Sequence, residues 1–169
     1  MVVDYFAVFS LERRLGIDLE DLGRRFRAQS FVVHPDFHAR GTQAERSEAQ
    51  DRSAELNEAY RTLKDPFRRT RHLLELEGRD PESKPSQVLL FEVFEVQELL
   101  EEDGSDPLEL KKAEQEWRQR WSALVGDLEK AFGRWDSGDL AALDTFVEIL
   151  TRRRYYENLL ATLSERLKA

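Results

Sequence analysis

With 169 residues, 40% of them hydrophobic and 36% charged, the chain has room for one medium domain or two small ones and the composition of a soluble, helix-rich protein. It contains no cysteine, which excludes disulfides and any zinc or iron–sulfur cluster held by thiolates. The net charge of −8 is uneven, with 14 acidic against 13 basic residues over 1–77 and 20 against 13 over 78–169, so the surface offers no electrostatic reason to bind nucleic acid or anionic lipid.

The first residues, Met1-Val2-Val3-Asp4-Tyr5, lack the basic start and apolar core of a signal peptide, and no apolar run approaches membrane-spanning length, so a cytoplasmic protein is expected. Asp4 to Leu11 is a short apolar segment good for a helical turn or two, ending near Gly16. Asp18 is a candidate N-cap for a helix whose face carries Leu22, Phe26 and Val33, with Arg24, Arg25 and Arg27 pointing mostly elsewhere. Pro35 forbids continuation, and His34 to Gly41 reads as a loop. Thr42 and Glu45 then form a capping-box pattern that opens a long helix to Lys64, with a buried stripe of Ala49, Leu56, Ala59, Tyr60 and Leu63. Asp65-Pro66 restarts a helix that carries His72, Leu73, Leu74 and Leu76 and stops at Gly78.

The stretch from Gly78 to Ser86 reads as a linker, which divides the chain into 1–77, a linker 78–86, and 87–169. A helix is expected over Gln87 to Glu102, with Ser86 as its cap. A second opens at Asp106-Pro107 with the stripe Leu110, Ala113, Trp117, Trp121, Leu124, Leu128 and Phe132. A third follows Asp136-Ser137-Gly138 and carries Leu140, Leu143, Val147 and Leu150, then Tyr156, Leu160, Leu163 and Leu167. Short turns between three helices imply an antiparallel three-helix bundle, and the fold class is all-α. The tryptophans at helical spacing read as core, and Arg152-Arg153-Arg154 reads as a source of intramolecular pairs with glutamates. His38 and His72 have no acid or thiol partners in sequence, so no metal site and no cofactor are expected.

The helix from Gln87 is richer in apolar residues than a bundle needs. Leu89, Val93, Val96 and Leu100, spaced 4, 3 and 4, are enough to pack it. Leu90, Phe91 and Phe94 remain on a neighbouring face, followed one and two turns on by Glu95, Glu98 and Glu102. An apolar patch edged by carboxylates is what a partner-binding helix shows. Burial of the same residues on a second side of the helix is the alternative.

His34-Pro35-Asp36 lies between two helical segments, and the second ends in Asn57-Glu58-Ala59-Tyr60-Arg61-Thr62-Leu63-Lys64-Asp65-Pro66. Together these resemble the J-domain family. The resemblance implies that the loop docks on a heat-shock ATPase and stimulates its hydrolysis of ATP, with Arg24, Arg25 and Arg27 as a basic docking face. Val32 and Val33 stand where J-domains usually carry lysine and tyrosine, and Phe37 where lysine is usual, so the docking surface is less basic than is common. The opening Asp4-Tyr5-Phe6, the H-P-D-F variant and Leu89-Leu90-Phe91-Glu92-Val93-Phe94-Glu95 are similar to the HscB co-chaperones over nearly the whole chain.

That likeness implies a J-domain helical hairpin with flanking helices, then a three-helix domain that holds an IscU-type iron–sulfur scaffold protein and delivers it to an HscA- or DnaK-type ATPase. The scaffold-binding positions would be Leu90, Phe91, Phe94, Glu95, Glu98 and Glu102, with Tyr155 from the last helix. A J-domain protein for a different client, with a diverged bundle, is the alternative. An enzyme ranks far behind, because the sequence offers no nucleophile motif, phosphate loop or metal cluster.

Overall fold

A computed structural model describes residues 2–33, 42–101 and 106–168. Among the described residues there are seven α-helices and no strand: α1 Tyr5–Val8, α2 Leu19–Val32, α3 Gln43–Lys64, α4 Pro66–Leu76, α5 Gln87–Glu101, α6 Pro107–Asp136 and α7 Ala142–Arg166. The chain divides into two compact units, 1–78 and 79–169.

The first unit starts helices where side-chain oxygens replace missing backbone acceptors. Asp4 accepts from the Phe6 and Ala7 N–H groups, and Asp18 from those of Glu20 and Asp21. Thr42 and Glu45 close a full capping box at α3. Asp65 caps α4 through the Arg68 N–H at 2.8 Å, with Pro66 in the first turn. Gly78 ends the unit at φ 68°, a left-handed conformation that suits glycine.

α2 and α3 run antiparallel. Phe26 stacks on Tyr60 near the end of α3, with ring centroids 4.2 Å apart. Val32 and Val33 at the other end of α2 share a shallow cleft with Glu45, Glu48 and Ala49 near the start of α3. Leu22, Leu56, Ala59 and Leu63 are buried between the helices. Tyr60 and Phe26 are only half-buried, so the expected stripe is correct in phase but its aromatic pair sits at the rim. α1 supplies Phe6 and its C-cap Phe9, both fully buried, and α4 supplies Phe67, Leu73 and Leu74.

His72 of α4 is buried in this unit. Its Nε2 accepts the Tyr5 N–H at 3.1 Å, and its ring stacks on Tyr5 at 4.4 Å. No local pattern pointed to a partner for His72, because the backbone donor lies 67 residues away. An accepting Nε2 leaves the proton on Nδ1 and the ring neutral. Burial pushes its pKa below the ordinary value, opposed by Asp4 and assisted by Arg13.

In the second unit α6 and α7 pack against each other along much of their lengths. Trp117, early in α6, meets Tyr156, late in α7, edge-on at 5.0 Å. Phe132, late in α6, meets Phe146, early in α7. The pair is therefore antiparallel, with Leu124, Leu128, Ile149, Leu150 and Leu159 buried around it. The segment 79–86 lies on α7, through an Arg79–Asp144 pair, a 2.7 Å hydrogen bond between the Ser83 and Thr151 hydroxyls, and a Glu82–Arg154 contact. Arg152 and Arg153 pair with Glu148 and Glu157, one helical turn away on either side.

The start of α7 departs from the sequence reading. Leu140, expected on its buried stripe, precedes the helix and is 69% exposed. Asp139 takes the turn instead. It accepts from the Ala141 N–H at 2.9 Å and from Arg134 at 2.8 Å, and these bonds hold its pKa low. The helix begins at Ala142, and its buried face includes Phe146, Ile149 and Leu159, which the single stripe omitted. A helix with two neighbours buries a wider arc than a one-stripe pattern marks.

A neutral His72 makes the first unit sensitive to acid. The unfolded state takes up a proton near pH 6.5 and the folded state only at lower pH, so stability is full above that value and falls as pH drops through it. Denaturant unfolding followed from pH 7.5 to 5 should show this decline, and His72→Phe should flatten it. A pH dependence unchanged in the variant would assign the effect to other groups.

Candidate functional site

Two sets of residues are candidates, one in each unit. His34, Pro35 and Asp36 lie outside the described residues, as does Glu102.

On α2 the three arginines have different surroundings. Arg25 donates to Asp21 at 2.7 Å and to the carbonyls of Phe9 and Ser10 at 3.0 and 3.2 Å. Gln29 adds a bond to the Val8 carbonyl at 3.0 Å. Together they strap the end of α1 to α2, satisfying carbonyls that the short helix leaves open. Arg24 also pairs with Asp21, and hydrogen bonds from Arg24 and then Arg25 hold that carboxyl below its usual range. Arg27 is exposed and has no ionic partner among the described residues. Of the predicted basic face, then, Arg27 is exposed without an ionic partner among the described residues, Arg24 is exposed but paired, and Arg25 is half-engaged in the fold. Phe31 and Val32, further along α2, are 68% and 69% exposed.

On α5 the outward face is apolar. Ser86 caps the helix through the Leu89 N–H at 3.1 Å. Successive residues advance about 100° around the axis, so Leu89, Val93, Val96 and Leu100 share one arc and Leu90, Phe94 and Phe91 the next. Leu89 and Val93 are buried, and Val96 and Leu100 are half-buried. Leu90, Phe91 and Phe94 are 46%, 65% and 56% exposed. Burial on a second side within this unit, the alternative left open by the sequence, does not occur for these three. Glu95 stands one turn beyond Phe91, and Glu98 one turn beyond Phe94, both exposed.

Tyr155 is half-buried on α7, with the Arg154 guanidinium 5.3 Å from its ring centre. It lines an open groove between α5 and α7 with Val93, Gln97, Leu100 and Asn158. Gln97 falls beside Leu90 and Phe94 on the helix, so Tyr155 borders that side of the patch, while Phe91 and Glu95 lie on the far side.

The α6 side of α5 is held by a contact that the sequence could not suggest. Arg120 of α6 pairs with Glu92 of α5 at 2.9 Å and with Glu116 at 2.8 Å. Its guanidinium lies 4.9 Å from the Trp117 ring centre. Burial alone would lower the arginine pKa, but the hydrogen bonds it donates to Glu116 and Glu92 hold it above its ordinary value.

No group of three or more metal-ligating side chains occurs among the described residues, and no described helix is long and apolar enough to cross a membrane. Residues 85–164 match the family model of the HSCB C-terminal oligomerisation domain. A Co-chaperone protein HscB homolog of Cupriavidus taiwanensis is 37% identical over 145 residues, covering 77% of this chain and 82% of that protein. The chain belongs to the HscB co-chaperone family. The Iron-sulfur cluster co-chaperone protein HscB of Mus musculus is 29% identical over 160 residues, 92% of this chain and 65% of that one. The chaperone HscB structure from Vibrio cholerae superposes with a TM-score of 0.71 at 25% identity and 96% coverage of both chains. An all-helical fold is thus common to this chain and a solved HscB. These relatives are named as co-chaperones, and in iron–sulfur cluster biology for the mouse protein.

The three arginines separate structural from docking roles. Arg25→Ala should destabilise the first unit by about 1 kcal/mol, because it removes charged hydrogen bonds to two carbonyls. Arg27→Ala should stay within about 0.5 kcal/mol of the parent protein. Chemical denaturation measures both, and equal effects would refute the division.

Proposed function

We propose that this protein brings an IscU-type iron–sulfur scaffold to an HscA- or DnaK-type ATPase and stimulates hydrolysis there, without catalysis of its own. The exposed apolar strip of Leu90, Phe91 and Phe94, edged by Glu95 and Glu98, is the observation that carries the reading. An exposed phenylalanine is a poor surface residue unless something covers it, and a compact apolar centre with a charged rim has the anatomy of a protein–protein interface. Tyr155 supplies an aromatic edge from a second helix, and Glu102 comes four residues after Glu98 in the sequence.

In the other unit the proposal rests on sequence. His34-Pro35-Asp36 follows α2, and Asp36 would pair with an arginine of the ATPase through a charge-assisted hydrogen bond. Arg24, Arg25 and Arg27 precede it on α2 and would steer an acidic partner surface, with Arg27 the one of the three that has no ionic partner among the described residues. Val32, exposed beside the motif, makes the contact more apolar than a lysine there would. Holding the scaffold on the same polypeptide raises its effective concentration at the ATPase, which couples the two binding events without a new contact.

Two variants separate the surfaces. His34→Gln should abolish stimulation of steady-state ATP hydrolysis and leave scaffold affinity unchanged. Phe91→Ala with Phe94→Ala should weaken scaffold binding tenfold or more, as loss of an interface centre does, while stimulation without scaffold persists. Stimulation that never responds to scaffold would reassign the α5 patch to another client. If either variant, while folded, lost both activities, the two-surface mechanism would be wrong.

A further inference from the structure

α5 carries the proposed scaffold surface but has little holding it. Only Leu89 and Val93 of its fifteen residues are buried, and it meets α6 and α7 over short stretches, whereas those two helices pack extensively with each other. The direction in which Phe91 and Phe94 point is therefore set by few contacts. A rotation of α5 by one residue, about 100°, would carry the outward strip into the bundle or away from Tyr155.

One polar contact opposes that rotation. Glu92 immediately follows Phe91 and lies on the α6 side of α5, where Arg120 meets it at 2.9 Å. Arg120 is itself fixed from two directions, by Glu116 at 2.8 Å one turn back on α6 and by the Trp117 ring at 4.9 Å. Trp117 is buried and packs edge-on against Tyr156, the neighbour of Tyr155 on α7. A continuous series, Glu92–Arg120–Trp117–Tyr156, thus links all three helices of the unit. Both Arg120 and Glu92 have side chains about one-third exposed, which leaves them less screened than most surface ion pairs.

We infer that Arg120 is a positioning residue for partner binding, fixing the rotation of α5 through Glu92 so that Leu90, Phe91 and Phe94 face outward beside Tyr155. The inference rests on the function proposed above. Arg120 need not touch the partner, and its effect is preorganisation of the face that does.

The test uses the full-length protein, an IscU-type scaffold as the binding probe, and amide hydrogen exchange of the free protein. In Arg120→Glu, three carboxylates converge at the junction. Exchange over residues 89–100 should quicken several-fold without scaffold present, and scaffold affinity should fall about fivefold, within what a well-fixed ion pair contributes. Adding Glu92→Arg to Arg120→Glu should restore both quantities to within about twofold of the parent, a rescue that a merely structural arginine would not show. Glu92→Gln removes only the α5 end of the clamp and leaves Arg120 on Glu116, so it serves if Arg120→Glu folds poorly, and a smaller loss of both is expected. Stimulation of the ATPase without scaffold should be unchanged throughout. Parent-like exchange and binding in Arg120→Glu or Glu92→Gln, or no rescue by the charge swap, would overturn the inference while the proposed function stood. A parent protein that bound no scaffold would overturn both.

Discussion

A helix laid on two others can bury one arc of its surface, and the rest faces outward whatever its chemistry. That constraint organises the second unit. α6 and α7 pack on each other through Trp117 on Tyr156 and Phe132 on Phe146, and α5 meets this pair over shorter stretches. α5 buries Leu89 and Val93 and leaves Val88, Leu90, Phe91 and Phe94 exposed. Packing thus occupies one face of the helix and leaves the other in solvent, so a substitution on the outward face has little effect on folding.

The first unit solves a different problem, which is to hold together a pair of antiparallel helices with little interface between them. α2 and α3 share a thin interface of Leu22, Leu56, Ala59 and Leu63, with Phe26 on Tyr60 at the rim. α1 and α4 brace it from the side. Arg25 and Gln29 tie the carbonyls at and just beyond the end of α1 to α2, and His72 ties the first N–H of α1 to α4. A helix of four residues has almost no internal hydrogen bonding of its own, so these side chains do for α1 what a longer helix would do for itself. Arg25 therefore has a structural task in addition to any electrostatic one, and α2 divides its cations between holding the fold and facing the solvent.

Charge follows a similar division. The arginines of the 152–154 run are occupied by glutamates on α7 and by Glu82, leaving no concentrated basic patch on that helix. The carboxylates that follow the apolar strip of α5 remain at the surface, so the outward face is apolar at its centre and acidic at its edge. Such a face favours a partner with complementary basic residues around an apolar contact, and gives selectivity as well as attraction.

The sequence by itself determined where α2, α3, α4 and α6 begin, because the caps Asp18, Thr42 with Glu45, Asp65-Pro66 and Asp106-Pro107 act within a few residues of the backbone groups they satisfy. It also determined that α5 had more apolar residues than packing requires, since that is a count on a helical wheel. It misjudged Leu140, because the choice between turn and helix there depends on Arg134 holding Asp139 across the α6–α7 connection. Only the tertiary structure decided that Arg25 is a strap, that His72 accepts a bond from a residue 67 positions away, and that Arg120 of α6 fixes Glu92 of α5. Those interactions join residues distant along the chain, and no local pattern of hydrophobicity or capping specifies which distant groups meet.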